Sequence, residues 1–198
     1  MLSSHLKPAV VRFITPFCRA LLRIGVTPNA VTILGTSAVI VGSITLLAQG
    51  HLLPALIIIG LSLLTDLLDG TMARLSDAGA SKWGSFLDST LDRIADGAVF
   101  LSLAYFLYTE DDSLFLVVVL TFAISSLVPY ARAKAESLGI ECKGGFAERP
   151  ERLLILGLSG ALYLLGVELA IDAGVWFLLI TSAFTVLQRI QLVWSATR

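Results

Sequence analysis

The chain has 198 residues, of which 56 % are hydrophobic and only 15 % are charged, well below the roughly 25 % charge of ordinary soluble domains. Its mean hydropathy is +0.86, and a single soluble domain of this length cannot hide so much apolar surface. That excludes a plain globular enzyme, a disordered chain and a nucleic-acid binder, and it leaves a polytopic membrane protein whose net charge of −1 matters only through its distribution.

Residues Leu2 to Ile24 mix Lys7, Arg12, Arg19 and Arg23 with Val10, Val11, Phe13, Ile14, Phe17, Leu21 and Leu22. Interrupted by arginine and lacking an apolar core with a small-residue cleavage site, this segment does not read as a secretory signal. It reads as an amphipathic helix lying on the inner membrane surface. The run from Ile24 to Thr65 holds no Asp, Glu, Lys or Arg and is broken at Gln49-Gly50-His51. A span needs about 20 residues, so this run supplies two, Asn29 to Ala48 and Leu52 to Leu75. Span three is expected over Ser85 to Tyr108, followed by the acidic turn Glu110-Asp111-Asp112, and span four over Leu114 to Leu138. Span five is expected over Glu151 to Gly166 and span six over Ala173 to Trp194. The expected fold is therefore all-α: six transmembrane helices (29–194) preceded by an interfacial helix (1–24), in one domain over 1–198. There is no internal repeat and no low-complexity stretch.

The cations orient the bundle. The turns 49–51, 109–113 and 167–172 contain no Lys or Arg, and all 14 cations fall on the opposite side. The positive-inside rule then places both termini in the cytoplasm of a multi-pass cell-membrane protein. Cys18 and Cys142 read as reduced thiols, and His5 and His51 as surface residues. Gly35 and Gly42, and Gly157 with Ala161, read as sites of close helix packing.

Charges inside spans are costly and default to function. Asp66, Asp69, Asp88, Asp92 and Asp96 flank one short turn. A core of about 30 Å crossed at about 1.5 Å per residue from Leu52 ends near residue 72, which puts Asp66 and Asp69 roughly 4 to 9 Å inside the inner boundary. Asp66 and Asp69 are three apart and Asp88 and Asp92 four apart, so each pair shares a helix face. Carboxylates aimed at one point repel each other, and divalent cations resolve that. An all-oxygen donor set favours Mg2+ or Mn2+, and two such ions form a clamp for phosphate chemistry at headgroup depth. Gly70 leaves room beside Asp69, Arg74 offers a guanidinium about one turn on, and Gly79 and Gly84 free the turn. On residues alone, Asn29 reads as a helix cap.

The pattern Asp66-x2-Asp69-Gly70-x2-Ala73-Arg74-x9-Gly84-x3-Asp88-x3-Asp92 resembles the signature of the CDP-alcohol phosphotransferases, with eight positions in register over 27 residues. The resemblance implies transfer of a substituted phosphate from a CDP-linked donor to an alcohol, with release of CMP, in a metal-dependent reaction. It implies that Asp66, Asp69, Asp88 and Asp92 hold two Mg2+ ions (or Mn2+), and that Asp92 is the general base. It places Gly70, Arg74 and Ser81 near the cytidine diphosphate, together with Asn29, Ala30, Val31 and Thr32 at the start of span one. It also implies a homodimer.

A second basic cluster addresses the acceptor. Arg132 and Lys134 close span four, Ala147-Glu148-Arg149-Pro150-Glu151-Arg152 opens span five, and Arg189 lies near the inner end of span six. These cations suit a phosphate carried by the acceptor. The Ala-Glu-Arg-x2-Arg pattern at 147–152 resembles the phosphatidylinositol phosphate synthases of actinobacteria, which join CDP-diacylglycerol to inositol phosphate; Pro129 and Lys134 depart from it. That resemblance gives Arg132, Lys134, Arg152 and Arg189 the acceptor-phosphate role. Two alternatives stay open: the same chemistry on glycerol 3-phosphate, and a carboxylate-lined ion transporter, although transporters place such charges near the midplane between repeats.

Overall fold

A computed structural model describes residues 2–76, 79, 81–142, 145 and 148–198, with side chains from residue 11 onward. Lys143, one of the 14 cations, Ala147 of the basic segment, and the side chains of Lys7 and His5 lie outside the described residues.

Among the described residues the protein is helical. The helices are α1 (Leu2–Arg23), α2 (Pro28–Gly42), α3 (Leu52–Leu75), α4 (Lys82–Thr109), α5 (Leu114–Ser137), α6 (Arg149–Leu164) and α7 (Ala170–Ala196). These elements lie within a few residues of those expected from the sequence. Thr27 caps α2, its hydroxyl accepting from the Ala30 N–H at 3.2 Å, with Pro28 as the first helical residue. Asn29 is therefore not the cap, and its side chain is free for another task. The last turn of α2 widens into a π-helical stretch, Ser43–Leu47, where the Ala48 N–H reaches the Ser43 carbonyl at 3.0 Å. Ser81 caps α4, accepting from the Gly84 N–H at 2.9 Å, and the Glu148 N–H opens α6 by donating to Glu151 Oε2 at 3.2 Å.

The six longer-range helix neighbours close a ring in the order α2, α3, α6, α7, α5, α4, and α1 packs on α3. Small residues set the close crossing of α2 on α3. A Cβ on Gly35 would lie 2.9 Å from Thr65 Cβ, and one on Gly42 would lie 2.8 Å from Ile58 Cδ1. Gly157 does not serve this way, since a Cβ there would meet nothing within 4 Å. Gly160 does so instead, against Leu56 at 2.9 Å, because it lies on the α6 face turned to α3.

The apolar core draws on all six helices of the ring. Val99, Phe100, Leu103 and Leu107 of α4 pack with Ile59, Val118, Leu156 and Leu178. Toward the other end the buried faces turn polar, with Thr32, Asp69, Asp96, Ser125, Arg152 and Arg189. The outer surface is inverted relative to a soluble protein: Leu34, Leu53, Leu61, Leu116, Leu158, Ile180, Phe184 and Leu187 all stand exposed. A contiguous belt of this kind marks contact with lipid, and the chain is a membrane protein. Among the described residues four helical stretches, Pro28–Leu47, Leu52–Leu75, Leu114–Ser137 and Ala170–Ala196, are long and apolar enough to cross a bilayer. α4 is long enough, but its first half carries Asp88, Asp92, Arg93 and Asp96. α6 has 16 residues, or about 24 Å at 1.5 Å per residue, short of an average hydrocarbon core.

Candidate active site at the charged end of the bundle

The charged end is built by three helices. The second half of α3 brings Asp66 and Asp69, the stretch of α4 up to its middle brings Asp88, Asp92 and Asp96, and the first turn of α6 brings Arg149 and Arg152. Helical spacing keeps each set on one face. The aspartates of α3 and α4 lie close enough for Asp66, Asp69, Asp88 and Asp92 to repel one another. What compensates them is Arg149, whose side chain is only 9 % exposed. One of its terminal nitrogens touches Asp66 Oδ2 and lies 2.7 Å from Asp92 Oδ1. Its Nε lies 3.3 Å from Asp96 Oδ1. Asp96 also pairs, through Oδ2, with Arg152 Nη2.

The sequence leads one to expect the four signature carboxylates around metal. Among the described residues, no three of His, Cys, Asp and Glu stand together as a ready metal cage, because the Arg149 guanidinium lies between Asp66 and Asp92. The physical reason is charge: buried carboxylates draw in the nearest buried cation. The donor set nevertheless suits a hard divalent ion. Its four groups are all carboxylates, and one guanidinium balances only part of their charge.

Asp69 is engaged differently. The Thr32 hydroxyl donates to Asp69 Oδ2 at 2.6 Å, and both residues are buried. This bond ties the start of α2 to the aspartate pair of α3. Gly84 brings α4 against the same segment, because a Cβ there would lie 3.0 Å from both Asn29 Oδ1 and Ser81 Oγ. Asn29 and Ser81, 52 positions apart in sequence, thus share one spot. Ala30 and Val31, on the same first turn of α2, are half-buried beside them. Gly70 has open space, with only Arg74 Nη1 within 4 Å of an added Cβ, at 3.8 Å. Arg74 is exposed and held by Thr71 Oγ1 at 3.1 Å. Asp88 is half-buried at the mouth.

The four cations expected around the acceptor phosphate do not all converge on one cavity. Arg152 is buried on Asp96. Arg189 is buried, and its Nη1 donates to the Val128 carbonyl, pinning α7 to α5 one residue before Pro129. Arg132 pairs with Glu136 at 2.8 Å and Glu148 at 3.4 Å. It lines a cavity of about 840 Å³ between α4 and α5, shared with Ser85, Ser89, Arg93, Asp96 and Ser125. Lys134 lines a separate, mostly apolar cavity of about 480 Å³ together with Arg189, Tyr130 and Trp194. Positions 132 and 134 differ by about 200° around a helix, so they cannot both face one pocket. The sequence reading names Asp96 beside the four signature aspartates and Arg149 within the basic segment, yet gives neither a role of its own in the site. Asp96 lies one further turn along the Asp88–Asp92 face, a spacing that could have flagged it.

Three comparisons bear on this arrangement. The family model described as CDP-alcohol phosphatidyltransferase matches residues 25–187. The phosphatidylinositol phosphate synthase of Mycobacterium tuberculosis is 39 % identical over 200 residues, covering 96 % of this chain and 89 % of that one. The crystal structure of that species' enzyme with CDP-DAG bound superposes with a TM-score of 0.85 at 38 % identity, over 92 % of this chain and 94 % of that one. Its complex with manganese and citrate gives 0.84 at 38 % identity, over 91 % and 88 %. With the signature aspartates gathered at one end of a helical ring, and with a match of this extent, the chain belongs to the CDP-alcohol phosphatidyltransferase family.

Proposed function

We propose that the protein transfers the phosphatidyl group of CDP-diacylglycerol to a hydroxyl of inositol phosphate, giving phosphatidylinositol phosphate and CMP. The observation that supports this best is identity of 39 % with a phosphatidylinositol phosphate synthase across nearly the whole chain, with every signature aspartate in place. In the reaction the acceptor oxygen bonds to the lipid-side phosphorus, the bond from that phosphorus to the bridging oxygen breaks, and CMP departs with that oxygen. The acceptor proton passes to Asp92. Asn29, Ala30, Val31, Thr32, Gly70, Arg74 and Ser81 surround the donor's cytidine diphosphate. Asp66, Asp69, Asp88 and Asp92 hold two divalent ions, Mg2+ or Mn2+, which when bound neutralise the diphosphate and the leaving group.

In this reading all seven helices form one domain. α2 to α7 cross the membrane, α1 lies along its inner surface with Phe13 and Phe17 turned outward, and the chain works as a homodimer with both termini in the cytoplasm. The orientation has a direct check. Cys18 and Cys142 are buried, and burial pushes the Cys18 thiol up in pKa, so native background is low. A cysteine at Glu110, an exposed position, is expected to react with an impermeant maleimide in intact cells; reaction only after permeabilisation would reverse the orientation.

The acceptor is tested by offering labelled CDP-diacylglycerol with inositol phosphate, glycerol 3-phosphate or free inositol. Inositol phosphate is expected to give the only substantial labelled lipid. A product from glycerol 3-phosphate alone would replace this reading with phosphatidylglycerophosphate synthesis. The cavities also divide the basic cluster. Arg132→Gln is expected to raise the acceptor KM about tenfold while leaving the donor KM nearly unchanged, the pattern of lost binding. Lys134→Gln, facing the other cavity, is expected to leave both unchanged. Equal effects of the two changes would contradict this division.

A further inference from the structure

We propose that the groove between α5 and α7 at the charged end of the bundle binds an anionic membrane phospholipid, with one acyl chain along the groove and the phosphate on Lys134. The groove is the cavity of about 480 Å³ that Lys134 lines. One face of each helix supplies a wall, from Leu127 to beyond Lys134 on α5 and from Val186 to beyond Trp194 on α7. Small side chains keep the space between the walls open, since Ala135 is buried and Ala131 half-buried. Arg189 closes the base, where its guanidinium donates to the Val128 carbonyl.

Depth decides what fits there. α5 begins at Leu114, and a hydrocarbon core of about 30 Å crossed at about 1.5 Å per residue ends near Lys134. The same count from Ala170, where α7 begins, ends near Ile190 and leaves Trp194 about 6 Å beyond it. Leu127 lies about 10 Å inside the boundary. The groove therefore has apolar walls within the hydrocarbon and a cation at headgroup level. Tyr130 and Trp194 stand exposed at its mouth, where aromatic rings of this kind settle in a bilayer. Charge selects the lipid. Among the described residues Lys134 forms no ion pair, and no Asp or Glu lines the groove. Glu136, two residues on, is held by Arg132 at 2.8 Å. Arg198 adds a second cation, its guanidinium 3.7 Å from the centre of the Trp194 ring. An anionic headgroup complements these cations, whereas a zwitterionic one brings a cation of its own to the same place. The groove also lies across the ring from α2 and α3, so this lipid is distinct from the CDP-linked donor.

The test uses the full chain in phosphatidylcholine vesicles, with Trp83→Phe and Trp176→Phe so that Trp194 is the only tryptophan left of three. Phosphatidylglycerol or phosphatidylcholine with a nitroxide near the glycerol end of its acyl chain is added at rising mole fraction, and quenching of Trp194 fluorescence reports contact. Labelled phosphatidylglycerol is expected to quench at about fivefold lower mole fraction than labelled phosphatidylcholine, the factor that one cation at the headgroup contributes. Lys134→Gln is expected to bring the two lipids within about twofold of each other. Lys134→Arg is expected to keep the preference, and so is Arg132→Gln, which faces the other cavity. Ala131→Leu, which fills the floor of the groove, is expected to weaken quenching by both lipids. Equal quenching by the two lipids in the chain with Lys134 intact, or a preference that survives Lys134→Gln, would overturn the proposal. So would the absence of quenching by either lipid, the result expected if a second copy of the chain covers the groove. Should the single-tryptophan chain fail to fold, native mass spectrometry of wild type and Lys134→Gln carries the same comparison, and equal retention of phosphatidylglycerol by both would overturn the proposal.

Discussion

Asp92→Asn is expected to bind CDP-diacylglycerol as wild type does and to lose about 10²- to 10⁴-fold in turnover, the range for removal of a general base. The substitution keeps the shape of the side chain and an acceptor oxygen for Arg149, which lies 2.7 Å from Asp92 Oδ1. It removes the ability to take up the acceptor proton and one carboxylate from the metal set. Asp92 lies on the α4 face between Asp88 and Asp96, close to Asp66 of the neighbouring helix, where an acceptor hydroxyl would have to approach the donor's diphosphate. Donor binding by filtration and single-turnover CMP release separate binding from chemistry. Turnover near the wild-type rate would move the base elsewhere.

Arg149→Gln is expected to destabilise the metal-free protein by on the order of 3 kcal/mol, because removing one partner of a buried ion cluster leaves the rest uncompensated. Asp66, Asp92 and Asp96 all contact this guanidinium, and only Asp92 and Asp96 have a second cation beside it, Arg93 at 3.6 Å and Arg152 respectively, among the described ion pairs. The same change is expected to tighten Mn2+ binding, since it removes the internal cation that competes for Asp66 and Asp92. Saturating Mn2+ should then close much of the stability gap by mass action. Thermal unfolding in detergent with chelator and with Mn2+, together with Mn2+ titration by paramagnetic resonance, measures both effects. Weaker Mn2+ affinity in the variant would show that Arg149 supports the metal site and does not compete with it.

Helix positions were readable from hydropathy and charge because the bilayer imposes length and apolarity on each segment. α3 begins and ends where the sequence places it, and the other helices differ by a few residues at their ends. The aspartate pairs were readable because spacings of three and four fix a helix face. The pairing across helices was not. Nothing in the spacing of the 147–152 segment says that Arg149 turns toward Asp66 and Asp92 while Arg152 turns to Asp96. That choice depends on how the short α6 crosses α3. The division of the acceptor cluster was illegible for a related reason: counting cations at one end of a bundle ignores their direction around each helix. Arg132 and Lys134 are two residues apart and face different cavities, and Arg189 is committed to the Val128 carbonyl. The donor segment came from resemblance. Its local logic emerges only in three dimensions, where Gly84 lets Asn29 and Ser81 meet and Thr32 reaches Asp69.

The central claim is that this one chain joins CDP-diacylglycerol to inositol phosphate at the aspartate cluster. Purified protein in nanodiscs, given CDP-diacylglycerol, labelled inositol phosphate and Mg2+ or Mn2+, measures it directly. The account predicts that labelled lipid and CMP appear in equal amounts, and that both vanish with excess chelator and in Asp69→Asn. CMP release without labelled lipid, or full turnover in chelator, would contradict it.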